Sequence, residues 1–156
     1  MVYRRAVLVF AVVALFFAPS VARGGDVDDL KATFEQEVKA FNSRDFSAYV
    51  ATAHEHVVLF GQFPPFEVEG IESYRKRYQT LFAKHQSVTF TPLTPQFRVI
   101  GNVGVAWGHD KLELKPKNGP AETYSGRYTF IYTKEDGKWL RVVAHASPEP
   151  TPPASP

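Results

Sequence analysis

His145 and His109 are the side chains of this sequence best suited to moving a proton. An imidazole titrates near pH 6.5 and serves as donor or acceptor. Strand alternation groups His145 with Trp107 and Tyr128, an apolar setting in which it can act as general acid or base. The same ring can equally be a core histidine bonded to nearby backbone or to Ser147. His109 and Lys111 stand two residues apart on one face, at a pocket mouth where they would bind an anion or at a solvated rim. Arg98 can clamp a carboxylate or phosphate with two parallel hydrogen bonds, or pair with a structural acid such as Glu113 or Glu122. Phe130 and Tyr49 complete the candidate ligand-lining set. His54-Glu55-His56 presents two imidazoles on one side of a strand, but two ligands leave even an open catalytic metal site incomplete, so no metal is expected. G-x-S-x-G, the P-loop, H-E-x-x-H and G-x-G-x-x-G are all missing, and no cofactor is expected.

Periodicity supplies the elements that must hold these groups. Val27, Leu30, Phe34, Val38 and Phe41 form one apolar stripe and predict a helix over Asp26 to Phe41. Asp45 is placed to cap a short second helix, Phe46 to Ala53, whose buried side is Phe46, Tyr49, Val50 and Ala53. A third helix follows Gly70, with Ile71, Tyr74, Tyr78, Leu81 and Phe82 on one face. His56 to Phe60 reads as a short strand. After His85 the period changes from 3.6 to 2 and predicts antiparallel strands. Val88 to Thr91 is interrupted by Pro92 and Pro95, which fits an edge or a bulge. Gln96 to Ile100 turns through Gly101-Asn102 into Val103 to Leu114, and Glu122 to Thr133 turns through Asp136-Gly137 into Trp139 to Ser147.

Alternation across those turns sorts the strand residues into two faces. One holds Arg98, Trp107, His109, Lys111, Tyr128, Phe130, Tyr132, Arg141, Val143 and His145. Its aromatic bodies and hydrogen-bonding groups fit a concave pocket. The other holds Phe97, Val99, Gly104, Ala106, Gly108, Leu112, Arg127, Thr129, Ile131, Val142 and Ala144, with Asp110, and fits flat packing against another sheet. The Phe63-Pro64-Pro65-Phe66 loop either lids the pocket or caps the core.

The ends of the chain add a destination. Arg4 and Arg5 precede thirteen apolar residues, Ala6 to Ala18, too short a run to span a bilayer, and Ser20-Val21-Ala22 offers a cleavage site. Residues 1–22 therefore read as a signal peptide, with export to a periplasm or the exterior and no stable membrane anchor after cleavage. Removing two arginines with that leader leaves sixteen basic and sixteen acidic residues. A domain of zero formal charge has no field to draw it onto nucleic acid. There is no cysteine, hence no disulfide or thiolate metal site. Residues 26–147 suffice for one domain. Residues 148–156, five of them proline, read as a disordered tail.

Several stretches carry a resemblance: Phe41-Asn42-Ser43-Arg44-Asp45, Val57-Val58-Leu59-Phe60-Gly61, Gly70-Ile71-Glu72 and, above all, Asp136-Gly137-Lys138-Trp139 followed by His145-Ala146-Ser147. Over nearly all of Val27 to Ser147 the chain resembles the SnoaL-like group of the nuclear transport factor 2-like superfamily. The last stretch is similar to the end of the calcium/calmodulin-dependent protein kinase II association domain, whose pocket arginines align with Lys111 and Phe130. The resemblance implies an α+β cone-shaped half-barrel, three helices on a curved mixed or antiparallel sheet, a pocket between them, and a homodimer formed through the sheet. Three functions follow as expectations. The first is binding of a small, partly apolar ligand, with or without a carboxylate. The second is an isomerase, cyclase or dehydratase using His145, aided by His109 or a tyrosine. The third is an assembly module without catalysis, favoured by an exposed apolar patch on the flat face.

Overall fold

A computed structural model describes residues 24–149. The segment expected to be a signal peptide, residues 1–22, and residues 150–156 of the expected tail lie outside the described residues. Helices α1 (Gly24–Asn42) and α2 (Phe46–Ala51) lead into β1 (Ala53–Phe60) and a short β2 (Glu67–Glu69). Helix α3 (Ile71–Lys84) then precedes β3 (His85–Ile100), β4 (Val103–Pro116), β5 (Glu122–Glu135) and β6 (Lys138–Pro148). The six strands form one sheet in the order β2-β1-β6-β5-β4-β3. It is mixed, because β1 runs parallel to β6 while every other pair is antiparallel. The architecture is α+β, a cone-shaped half-barrel with the helices against one face of the sheet. Among the described residues no helix is long and apolar enough to cross a membrane.

Local chemistry sets the helix ends. The Asp45 carboxylate accepts from the Ala48 N–H at 3.0 Å and so satisfies one of the free donors that open α2. Arg44 before it takes a left-handed conformation, φ 57°, and its guanidinium donates to the Gln86 carbonyl at 2.8 Å, tying the α1–α2 corner to β3. On α1 the buried positions are Leu30, Phe34, Glu37, Ala40 and Phe41, the expected apolar stripe with a glutamate inside it. Tyr74, Tyr78 and Phe82 form the buried side of α3.

Four of the strands' departures from the sequence reading concern extent and register, the latter setting the faces. The two segments expected around Pro92 and Pro95 are one long strand, irregular between Leu93 and Gln96, where Thr94 has φ 44°. That strand is the sheet edge, where proline costs no ladder bond. Pro148 and Glu149, expected in the tail, are instead held by the sheet, since Pro148 pairs with Gly126 and the Glu149 N–H donates to the Ser125 carbonyl at 3.1 Å. The other two departures concern the faces. Between β4 and β5 the pairs are Gly108 with Tyr128, Ala106 with Phe130 and Gly104 with Tyr132. Tyr128, Phe130 and Tyr132 therefore share the helix-covered face with Phe97, Ala106, Gly108 and Asp110, opposite Trp107 and His109. The connection from Lys117 to Ala121 is too long to fix parity in advance. On β6 the register slips by one residue, because Tyr132 faces Arg141 but Ile131 faces Val143. This bulge sends Val143 and His145 to the outer face while Arg141 stays inside.

Gly104 shows how tightly α1 seats on this inner face. A Cβ there would lie 2.9 Å from Leu30 Cδ2 and 3.1 Å from Trp139 Cζ3, both on buried side chains. Gly104→Ala should cost about 1–3 kcal/mol in urea unfolding, the usual penalty of overpacking a core; an unchanged midpoint would mean that α1 sits more loosely than described.

Candidate functional site

Between the helices and the inner face of the sheet lies a cavity of about 110 Å³. Its walls are mainly aromatic and aliphatic, with Phe41 from α1, Tyr49 from α2, Tyr78 from α3 and Phe130 from β5. Phe63, from the loop after β1, stands at the rim, its ring 4.8 Å edge-on from that of Tyr124. Arg77 of α3 secures that loop by donating to the Pro64 and Phe63 carbonyls at 2.9 and 3.1 Å. The loop both borders the cavity and covers core, and its other end, Phe66, is exposed.

Besides Arg77, two buried charges line the cavity. Glu37 of α1 and Arg141 of β6 are 2% and 1% exposed, and Arg141 Nη1 donates to Glu37 Oε2 at 3.2 Å. Tyr132 donates to the same oxygen at 2.7 Å. Arg141 Nη2 donates to the Tyr74 hydroxyl, which donates in turn to Tyr49 at 3.2 Å. The guanidinium also lies 4.9 Å from the Tyr49 ring centre and 5.1 Å from that of Phe130, distances at which aromatic faces attract a cation. Burial pushes the Glu37 carboxyl up from its ordinary value; Arg141, then Tyr132 and Thr52, draw it partly back. Glu37 Oε1 and Arg141 Nε are buried without a hydrogen-bond partner.

Of the sequence candidates, Tyr49 and Phe130 line this cavity and Tyr128 packs beside it, 5.1 Å from Phe130. The rest stand elsewhere. His145 is exposed on the outer face, paired with Thr129 and with Phe60 of β1. Trp107, His109, Lys111 and Arg98 share that outer face, with Arg98 over the Trp107 ring at 5.9 Å. His109 Nδ1 donates to Glu149 Oε1 at 2.7 Å, so it has a carboxylate partner, but far from the cavity lining. His54 pairs with Glu135 at 3.3 Å, while His56 is largely exposed. Among the described residues no three His, Cys, Asp or Glu gather as a metal site.

Sequence reasoning missed Glu37. The signal was present: Leu30, Phe34, Glu37 and Phe41 stand at i, i+4, i+7 and i+11, so the acid occupies a core position that only a buried partner makes tolerable. Arg141, alternating inward from Trp139, is that partner.

Residues 26–150 match the profile of the calcium/calmodulin dependent protein kinase II association domain. The chain belongs to this family. The association domain is 28% identical over 120 residues to the calcium/calmodulin-dependent protein kinase type II alpha chain of Drosophila melanogaster, covering 72% of this chain and 22% of that protein. It is 26% identical over 129 residues to the type II subunit delta of Oryctolagus cuniculus, covering 78% and 24%. The chain thus spans under a quarter of the length of these relatives. Among solved structures it superposes on a candidate association domain from Xanthomonas campestris with TM-score 0.70 and 21% identity, over 88% of this chain and 99% of that one. It also superposes on a candidate dehydratase of the nuclear transport factor 2-like family from Streptomyces avermitilis with TM-score 0.73 and 15% identity, over 81% and 98%. The half-barrel of this superfamily is therefore the fold of the association domain described here.

Asp110 corrects one further expectation. It lies on the inner face, 3% exposed, with Oδ1 unpartnered. Burial and then the charge of Glu149 push its carboxyl up to about 6, against a smaller opposing effect of His109. A folded-state value above the unfolded one near 4 means that the folded protein holds this proton more tightly. Its contribution to stability is therefore greatest at low pH and is lost as pH rises from about 4 through 6. Asp110→Asn should match the wild type near pH 4 and exceed it by about 1–3 kcal/mol at pH 8 in denaturant titrations. Equal stabilities at pH 8 would mean that the charged form costs nothing where it sits.

The ion pair gives a second prediction. Arg141→Met strands a buried carboxylate and should cost about 3–5 kcal/mol at pH 7. Adding Glu37→Leu should recover most of that loss, and a double variant as unstable as the single one would count against the pair as the cause.

Proposed function

We propose that this is an exported association domain that holds a small, partly apolar ligand in the cavity between helices and sheet, and assembles into a homo-oligomer through the outer face of the sheet. The observation that carries the ligand reading is the unspent hydrogen-bonding capacity of Glu37 and Arg141 at an otherwise apolar cavity. Buried polar atoms are almost always satisfied, by protein, by ordered water or by a bound molecule. A volume of about 110 Å³ fits a molecule of a few heavy atoms, since engineered cavities near 150 Å³ take benzene.

Assembly rests on the opposite face. Val105, Trp107, Ile131 and Val143 are half-buried there and Phe60 is 45% exposed, so the surface mixes aliphatic and aromatic area with polar groups, His145 among them and Arg98 on the edge strand. The family is named for association, and a sheet face carrying half-buried apolar side chains gives that role a physical basis. Export rests on residues 1–22 alone. The enzyme reading keeps one specific support, a carboxyl in an apolar cavity with its proton affinity raised by burial. It therefore assigns general acid–base work to Glu37 in place of His145, which stands outside the cavity.

Native mass spectrometry of the protein purified from its own host tests both parts together. The expected result is an oligomer carrying a small added mass per subunit. Ile131→Arg should yield folded monomers. An oligomer that survives this change would move the interface off the sheet, and a wild-type protein with no added mass in any preparation would weigh against a retained ligand.

A further inference from the structure

We propose, resting on the reading of the cavity as a ligand site, that it selects an uncharged ligand with an acceptor beside a donor on a small apolar body. That is the pattern of a primary amide or an undissociated carboxylic acid, with Arg141 Nε donating to the ligand and Glu37 Oε1 accepting from it.

The charge balance of the cavity leads there. An arginine in an apolar pocket normally argues for an anion. Here its charge is already answered by Glu37 at 3.2 Å, with both side chains at most 2% exposed. A carboxylate brought against this pair would create a buried site of net negative charge, and an ammonium one of net positive charge; either costs several kcal/mol in such surroundings. Arg77, the other cation on the lining, keeps its full charge but is only half-buried, where solvent screens it, and it directs two donors to the rim loop carbonyls and away from the Glu37–Arg141 pair.

The bonding balance then sets the ligand's pattern. Glu37 Oε2 is taken by Arg141 and Tyr132, and Arg141 Nη2 by Tyr74. The atoms of this pair that form no hydrogen bond are Arg141 Nε, a donor, and Glu37 Oε1, an acceptor. They belong to groups already joined by a hydrogen bond, so covalent dimensions keep them within roughly 8 Å of one another, inside the reach of one small molecule. A hydrocarbon would leave both unsatisfied and a ketone would leave the carboxylate oxygen so, each a loss of about 1–3 kcal/mol. An amide answers both. Its apolar body meets Phe41, Tyr49 and Phe130.

Three probes of equal heavy-atom count separate the cases: isobutyramide, isobutyrate and 3-methyl-2-butanone, titrated by amide chemical shifts at pH 8 into the protein isolated from its host. The expected order is isobutyramide at least tenfold tighter than either of the others. Glu37→Gln leaves Arg141 unneutralised and should reverse the preference, with isobutyrate gaining at least tenfold. Should that variant fail to fold, the wild-type order alone decides. Isobutyrate as the tightest wild-type probe would overturn the proposal, as would equal binding of amide and ketone, while both outcomes leave the cavity a ligand site. Cavity-lining shifts with none of the three would remove the proposal and that reading together.

Discussion

Glu37 and Arg141 meet where water does not reach, and most of the domain's inner architecture is arranged around making that meeting tolerable. Each ion alone would lose its hydration at a cost of several kcal/mol. Tyr132 answers the carboxylate, Tyr74 the guanidinium, and Tyr49 extends the chain, so the pair draws α1, α2, α3, β5 and β6 into one network. The rings of Tyr49, Tyr74 and Phe130 stack about the guanidinium and replace part of its lost water. An apolar pair of the same volume would serve stability as well or better. What an ion pair adds is discrimination, because sliding α1 by one turn would strand both charges.

The elements were legible because they depend on short-range chemistry. The apolar stripe of α1, the Asp45 cap and the two-residue turn at Gly101-Asn102 each lie within a few neighbouring positions, and each appears in the folded protein. Strand β2 was not foreseen, since Glu67-Val68-Glu69 is too short to carry a period and exists only because the edge of β1 accepts it. The parallel pairing of β1 with β6 joins the two ends of the sequence and leaves no local trace.

The site was legible by composition but not by side. Trp107, His109, Lys111 and His145 look like pocket residues because aromatic bodies mixed with polar heads suit a cavity and a protein interface equally well. Only parity distinguishes the two, and parity was lost twice, in the β4–β5 connection and at the β6 bulge. Glu37 went unseen for a different reason. A glutamate among apolar helix positions gains meaning only with its partner, and Arg141 stands more than a hundred residues away.

The β6 bulge explains why the polar end of the cavity sits where it does. In an unbroken strand, Arg141 would share its face with Val143 and His145, and the residue between them and the sheet's end would alternate accordingly. One extra residue lets Arg141 and Ala144 both face inward although three positions separate them. Arg141 thereby reaches Glu37, while Ala144 and Ala146 follow it along the lining with side chains too small to fill the space. Had Val143 and His145 stayed inside, they would occupy that volume. The same displacement delivers them to the outer face beside Ile131 and Thr129. A single irregularity of one strand thus opens the cavity, sets a charge at its wall and enlarges the apolar surface behind it.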